Sequence, residues 1–466
     1  MSEQAKFLTG STMRHVVVMS STASVGLMAV FLVDFVDMVF ISMLGKAELA
    51  AAVGYAGSIL FFTTSVSVGL AIAAGALVSR ALGAGDEARA RILATHVMAF
   101  GFGLAVIFAA LVWWNVEGLS ALVGAEGRTL ELSAGYLAII VPSMPFLMIG
   151  MAGGAILRAH GDAKRAMWAT IAGGAVNAIL DPILIFGLNL ELTGAALASV
   201  AARLTIMIVA LQPILRHYGG FAPLRLGALI PDLRPIGGIA FPAILTNIAT
   251  PVGAAYLTRE MAQFGEDAVA GMAIVSRLTP VTFAVVFALS GAIGPIIGQN
   301  FGAERHDRVR SAFRDGLIFV GTYTLAAALV LFALRWPIAQ LFEADGVTRD
   351  LLFLFCGPLA LMWFFNGAIF VGNAAFNNLG HPFYSTVINW GRNTLGTIPL
   401  VMLGAVWLGA PGVLIGQAVG GAIFAATSLG LAARLFRQQA AGMLPLRARP
   451  TFSRRARLME LFHARR

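Results

Sequence analysis

Charged side chains are scarce in this chain of 466 residues. Asp, Glu, Lys and Arg together make up 12% of the sequence, whereas a soluble globular protein carries roughly 25%. Hydrophobic residues make up 58%. A composition so poor in charge excludes an ordinary soluble protein and predicts an all-α integral membrane protein.

Cysteine is nearly absent as well. Cys356 is the only one in the chain, so an internal disulfide is excluded. It stands in the middle of an apolar segment, where we expect it to pack rather than react.

Long apolar segments separate the charged positions, and each is long enough to cross about 30 Å of hydrocarbon at roughly 1.5 Å per residue. We predict twelve spans. They start near His15, Ala51, Ile92, Tyr136, Ala166, Thr193, Pro235, Ala268, Ala312, Leu351, Phe383 and Pro411. The polar first thirteen residues lead into span 1 without a small-residue cleavage site, which favours an uncleaved first helix over a signal peptide.

The net charge of +9 follows the predicted topology. On the twelve-span count most Lys and Arg fall on one side of the membrane, and only Lys46, Arg128, Arg335 and Arg349 fall on the other. Positive charge stays on the cytoplasmic side. We therefore predict a multi-pass protein of the bacterial inner membrane with both termini cytoplasmic, and no nucleic-acid partner. The Arg-rich tail at 447–466 is predicted to lie on anionic lipid.

The chain also repeats itself. Residues 75–91 (GALVSRALGAGDEARAR) match residues 294–310 (GPIIGQNFGAERHDRVR) at an offset of 219, and residues 155–162 match 374–381 at the same offset. An even number of spans in each half makes the repeat parallel, with a pseudo-twofold axis along the membrane normal. Two six-helix lobes joined by a linker can rock around a central cavity, which favours a transporter.

The predicted boundaries follow from this repeat. They are an N-lobe at 1–215 (spans 1–6), a cytoplasmic linker at 216–234, a C-lobe at 235–439 (spans 7–12) and a basic cytoplasmic tail at 440–466. The Gly, Pro and Arg residues of the linker are typical of a surface connector.

Two carboxylates lie inside apolar spans, where ionisable groups are costly and usually functional. Helix rise places Asp37 about 12 Å below the outer surface, and Asp181 and Ser199 about 9 Å below it. Asn177 lies one turn below Asp181 on the same helix face. These four residues predict one oxygen-rich site that holds a proton or a small hard cation such as Na⁺. The alternative is that each polar side chain only bonds a neighbouring helix.

Three further residues extend this hypothesis. Pro182 directly follows Asp181 and predicts a helix bend. Asp34 is one turn before Asp37, where it extends the site toward the cavity, contacts a cationic substrate or pairs with a buried arginine. Arg203 lies one turn beyond Ser199, and a structural ion pair with Asp34 or Asp181 is favoured over contact with substrate.

The second half has no equivalent carboxylate pair. The position that matches Asp37 is Leu257, and the one that matches Asp181 is Ile398. We therefore expect ion coupling in the first half only.

The run LVDFVDMVFISMLG at 32–45, the pattern from Asn177 to Pro182 and GAALAS at 194–199 resemble the multidrug and toxic compound extrusion (MATE) family. The resemblance covers essentially the whole chain. It implies a twelve-helix antiporter that exports cationic or amphipathic compounds in exchange for H⁺ or Na⁺. By position it makes Asp37, Asn177, Asp181 and Ser199 the coupling site.

Two positions in spans 7 and 10 relate the chain to one branch of the family that it resembles. The acidic residues that NorM-type members carry in spans 7 and 10 are replaced by Thr250 and Asn366, which brings the chain nearer the DinF-like branch. We expect a monomer in contact with membrane lipid, with no cofactor beyond the coupling ion. The rival interpretations are a lipid or polysaccharide flippase of the same superfamily and, more remotely, an intramembrane aspartyl protease.

Overall fold

Helices make up nearly all of the chain in the computed structural model, which describes residues 5–440. The predicted basic tail at 440–466 lies, apart from residue 440, outside the described residues. Eleven helical segments there are long and apolar enough to cross a membrane. Numbered by crossing, they are Thr12–Met43 (span 1), Ala47–Gly83 (span 2), Glu87–Trp114 (span 3), Gly127–Ala159 (span 4), Ala163–Gly187 (span 5), Glu191–His217 (span 6), Leu226–Ala262 (span 7), Ala284–Gly302 (span 8), His306–Leu341 (span 9), Gly346–Asn378 (span 10) and Ala410–Gln439 (span 12).

The remaining crossing, span 11, is divided into Pro382–Gly391, Arg392–Gly396 and Ile398–Leu408. Span 8 has a separate first piece, Glu266–Thr282. The prediction of twelve crossings is therefore confirmed, and spans 8 and 11 are each divided into separate helical pieces.

Three π-helical turns interrupt the α-helices, and each has a proline in or near it. They are Ile183–Gly187, Phe355–Leu359 and Arg392–Gly396. A proline removes one backbone donor, and a wider turn relieves the crowding of its ring. The first of these turns follows Pro182 directly, at the position where a helix bend was predicted.

The same helix pairs pack together in both halves of the chain. Span 1 packs on span 5 as span 7 packs on span 11, and span 2 packs on span 4 as span 8 packs on span 10. Spans 4 and 6 are in contact, as are spans 10 and 12. The sequence repeat is therefore a structural repeat of two six-helix lobes.

The non-helical connection between the lobes is shorter than the predicted linker at 216–234. Span 6 continues to His217 and span 7 begins at Leu226, so only residues 218–225 are non-helical. Asp232 in the first turns of span 7 is buried, paired with Arg89, and lies 2.6 Å from Nδ1 of His96. These contacts with span 3 stabilise the start of span 7 as a helix, although the composition of this proline-containing segment predicts a connector.

We call the end of the bundle that carries Lys6, Arg89 and Arg308 the basic end. There the two lobes meet through glycines that are equivalent in the repeat. A Cβ on Gly83 would overlap the carbonyl oxygen of Gln299, and one on Gly302 would overlap that of Arg80. Only glycine permits such a backbone approach.

Two side chains secure the same contact. Arg80 donates to the Asn377 carbonyl at 2.6 Å and Gln299 donates to the Ala159 carbonyl at 2.7 Å. These acceptors lie at equivalent ends of spans 10 and 4. The lobes are thus closed against each other at the basic end around the pseudo-twofold axis.

Gly83→Val is expected to prevent this closure, because its side chain has to displace the backbone of span 8. Overpacking of this kind costs about 1–3 kcal/mol. Spin labels at the exposed positions Glu87 and Asp307 would report the change as a loss of the shortest distance population. Gly103→Val is the matched control, since a Cβ there meets nothing within 4 Å. Identical distance distributions in both variants would contradict the closure.

Candidate functional site

The carboxyl groups of Asp37 and Asp181 lie within hydrogen-bonding reach of each other, across the interface of spans 1 and 5. Asp181 is 1% exposed, and Asp37 is half-buried. Two carboxylates of one lobe, 144 positions apart in the sequence, are therefore brought into a single site.

Small residues bring the two helices together. A Cβ on Gly26 would lie 3.4 Å from Met167 Cα, and one on Gly174 would lie 3.1 Å from Val33 Cγ2. On the side of the pair away from the basic end, Phe40 and Phe186 pack edge to face with ring centroids 5.9 Å apart. Glycines on one side and aromatic rings on the other fix the separation of the carboxyl groups.

The pair has few other polar partners. Within residues 5–440, both carboxylate oxygens of Asp181, Oδ1 of Asp37 and Nδ2 of Asn177 are buried without a hydrogen bond. Asn177 lies one turn from Asp181 and is 6% exposed. Buried polar atoms are normally hydrogen-bonded, and two like charges in a low dielectric cannot both persist. The site therefore has the chemistry to bind a positive charge, as a proton or a cation.

Tyr136 is a member of this site that sequence reasoning missed. Its hydroxyl lies within hydrogen-bonding reach of Ser199 and near Asp37, Asp181 and Arg203. Ser199 thus joins the site through the tyrosine. The signal in the sequence was a phenol inside an apolar segment, in a chain with only six tyrosines.

The predicted ion pair of Arg203 with Asp34 or Asp181 is wrong. Arg203 donates to the Ile140 carbonyl at 3.1 Å and to Ser143 Oγ at 2.9 Å. These acceptors are available because span 4 passes into a 3₁₀ turn at Val141–Ser143. Arg203 therefore holds span 6 on span 4 and supplies positive charge near Tyr136.

Asp34 lies on span 1, three residues before Asp37. Asp34 lies at heptad spacing from Ser20 and Ile41, on the same face of span 1. Those two residues are buried, whereas the side chain of Asp34 is exposed. No ion pair involves it among the described residues. A place toward the cavity or in contact with a cationic substrate stays a prediction for Asp34.

The second lobe carries apolar residues at the corresponding place. Leu257 is 7% exposed and packs in an apolar cluster with Met261 and Val401. Ile398 begins the helical piece that follows the π turn of span 11. The carboxylate pair has no counterpart there.

Within residues 5–440, no three His, Cys, Asp or Glu side chains are grouped as metal ligands. Two further arginines within the spans, Arg277 and Arg392, form no ion pair with Asp37 or Asp181 among the described residues. Arg392 donates to Asn366 Oδ1, and Arg277 is exposed.

Asp181→Asn is expected to raise the midpoint of thermal unfolding at alkaline pH, because it removes the repulsion between two carboxylates. This repulsion destabilises the folded protein by about 1–4 kcal/mol. At acidic pH, where the pair is protonated, the gain should disappear. Asp232→Asn is the contrasting control, since it weakens a buried ion pair and should destabilise by about 3–5 kcal/mol. A loss of stability in Asp181→Asn at alkaline pH would contradict the conclusion that the two carboxyl groups lack a neutralising partner.

A family model described as MatE matches residues 23–183 and 242–403. The two matched segments start at positions separated by the offset of the sequence repeat. At 28% identity, the chain is similar to an FAD transporter of Shewanella oneidensis over 89% of this chain and 93% of the relative. It is 23% identical to the multidrug export protein MepA of Staphylococcus aureus over 82% of each.

Among solved structures, a mutant of the Vibrio cholerae MATE transporter VcmN superposes with a TM-score of 0.85 at 25% identity, covering 92% of this chain and 97% of that one. These matches identify a multi-pass membrane transporter and exclude the protease interpretation. The chain belongs to the MATE family of secondary transporters.

Proposed function

We propose that this protein is a proton-coupled antiporter that exports cationic or amphipathic compounds by alternating access. The observation that carries the proposal is the contact between the Asp37 and Asp181 carboxyl groups. Two carboxyl groups at hydrogen-bonding distance share one proton readily, whereas both ionised forms repel each other.

Proton loading would act on span 5 through its π turn. Asp181 is followed by Pro182 and then by Ile183–Gly187 in π geometry. A helix that already lacks a regular hydrogen-bond ladder changes shape at low cost. Neutralising the pair would relax the contact of spans 1 and 5, and the cavity of the first lobe would then release its substrate.

Aromatic rings between the lobes support a cationic or amphipathic substrate. Phe31 of span 1 packs edge to face on Phe287 of span 8 with centroids 6.4 Å apart. Phe287 also contacts Trp363 and Phe370 of span 10. Aromatic faces attract cations and pack on apolar surfaces of varied shape. Asp34 lies three residues after Phe31 on span 1, about one helical turn away.

The orientation is part of the proposal. The basic end, which holds the N-terminus and the loops rich in arginine, would face the cytoplasm of a bacterial cell. The closed basic end would then be the outward-facing state of the cycle. Assignment to the DinF-like branch stays a prediction, as does a monomeric state.

Asp37→Asn and Asp181→Asn are each expected to abolish drug efflux while the protein still inserts in the membrane, because neither variant retains a carboxyl pair. Resistance of cells and ΔpH-driven uptake by proteoliposomes are the measurements. Asp34→Asn is the matched control and should keep proton coupling, since its side chain is outside the pair. Normal efflux in both pair variants would refute the proposal, and transport driven by a Na⁺ gradient alone would replace the proton with Na⁺.

A second candidate is export of anionic, phosphate-bearing compounds. The observation that favours it is the position of Arg158 on span 4. Its Nη1 lies near Gly154 of the same helix, and its Nε lies near Gly291 of span 8. It has no hydrogen-bond acceptor or ion-pair partner within residues 5–440. The named FAD transporter is a relative with such a substrate. A guanidinium suits phosphate groups, and a lipid flippase would use it in the same way.

Arg158→Gln separates the two candidates. If the substrate is an anionic dinucleotide such as FAD, the variant should weaken its binding by about tenfold or more, which is the loss of one charged contact. Binding of an organic cation should be unchanged or tighter. Equal affinity of wild type and variant for FAD would remove the second candidate.

A further inference from the structure

An open groove of about 520 Å³ lies at the basic end between spans 1 and 5. Its floor and one wall come from the 3₁₀ turn at Lys6–Leu8. The other walls come from the first half of span 1 and the start of span 5. The lining residues that matter here are Lys6, His15, Val18, Val25, Lys164 and Met167.

The groove opens on the lipid-facing side of span 1. Val18, Val25 and Leu32 follow one heptad stripe and are 54%, 51% and 63% exposed. Ser20 and Ile41, which lie on another face of the helix, are buried. Exposed apolar residues on the outer stripe of a spanning helix contact hydrocarbon chains.

The rim of the groove is cationic. Lys6 donates one ammonium hydrogen to the Gly161 carbonyl at 2.8 Å, and an ammonium group has two more to give. Lys164 has no ion pair or hydrogen bond to its side chain among the described residues. Both side chains are therefore available to an anion at the level of the membrane interface.

The one carboxylate in the lining is already neutralised. Asp162 accepts from the Arg165 backbone at 3.1 Å, from the Arg165 guanidinium at 2.7 Å and from the Tyr218 hydroxyl at 2.8 Å. Partial burial opposes its charged form, but these donors hold the pKa of Asp162 below its usual value. It stays ionised and paired, so it repels an incoming anion only weakly.

We propose that this groove binds an anionic phospholipid from the leaflet at the basic end. The lipid phosphate lies between Lys6 and Lys164, and one acyl chain lies along Val18, Val25 and Met167. Charge complementarity selects the headgroup, and the apolar walls select a lipid over a free anion. The inference stands independently of which ion or substrate the protein transports.

The position of the groove connects the lipid to the carboxylate pair. Met167 lines the groove and also contacts Gly26, where spans 1 and 5 approach most closely on this side of the pair. A lipid seated there holds these two helices together, and the same helices carry Asp37 and Asp181. Lipid composition should therefore influence the coupling site without contact to it.

Native mass spectrometry of the purified full-length protein with added phosphatidylglycerol tests the proposal. Lys6→Gln/Lys164→Gln should weaken phosphatidylglycerol binding by tenfold or more, since each basic residue near an anionic surface contributes appreciably. The control Lys46→Gln removes a lysine at the opposite end, where it pairs with Glu191 at 2.6 Å, and should leave binding unchanged. Unaltered phosphatidylglycerol binding in the double variant would overturn the proposal.

A second variant separates the groove from general surface charge. Val25→Trp keeps every lysine but fills the groove, so it should lower phosphatidylglycerol binding as well. If it binds this lipid as wild type does, the acyl chain lies elsewhere and the proposal fails. Phosphatidylcholine should bind weakly to all variants, and inorganic phosphate alone should not raise the thermal stability of wild type. A stabilisation by phosphate equal to that by lipid would overturn the choice of a lipid.

Discussion

Two buried carboxyl groups in contact are the constraint on which the rest of this molecule depends. In a low-dielectric interior they cannot both be ionised without a counter-charge, so the pair of Asp37 and Asp181 demands a proton or a cation. Glycine contacts hold spans 1 and 5 at the required separation, and the π turn after Pro182 leaves span 5 able to respond. Binding of one positive charge is thereby linked to the packing of two helices.

The scaffold is symmetric, whereas the chemistry is not. Gly83 and Gly302 make equivalent backbone contacts at the basic end, and the donors Arg80 and Gln299 reach equivalent helix ends. The carboxylate pair exists only in the first lobe, and Leu257 takes the corresponding place in the second. Charge binding is therefore expected in the first lobe alone, although π turns occur in both lobes, at Ile183–Gly187 in the first and at Phe355–Leu359 and Arg392–Gly396 in the second.

Much of this architecture could be predicted from the sequence, because span length, charge scarcity and a constant repeat offset are properties of the chain alone. Helix rise even brought Asp37 and Asp181 to a similar depth. The position of Tyr136 and the partners of Arg203 could not be predicted, since they depend on how spans 4 and 6 rotate and on carbonyls exposed by a 3₁₀ turn. The helical start of span 7 could not be predicted for a similar reason, because Asp232 is anchored by Arg89 and His96, which are distant in sequence.

The most direct test of the central claim is infrared difference spectroscopy of the purified protein as the pH is raised. A shared proton predicts the carbonyl stretch of one protonated carboxyl group, which disappears when the pair ionises and shifts in position in Tyr136→Phe. In Asp37→Asn and in Asp181→Asn the remaining carboxyl group has no partner with which to share a proton, so its band should shift and should disappear at a different pH. A protonated-carboxyl signal that persists unchanged in both of these variants would contradict the account.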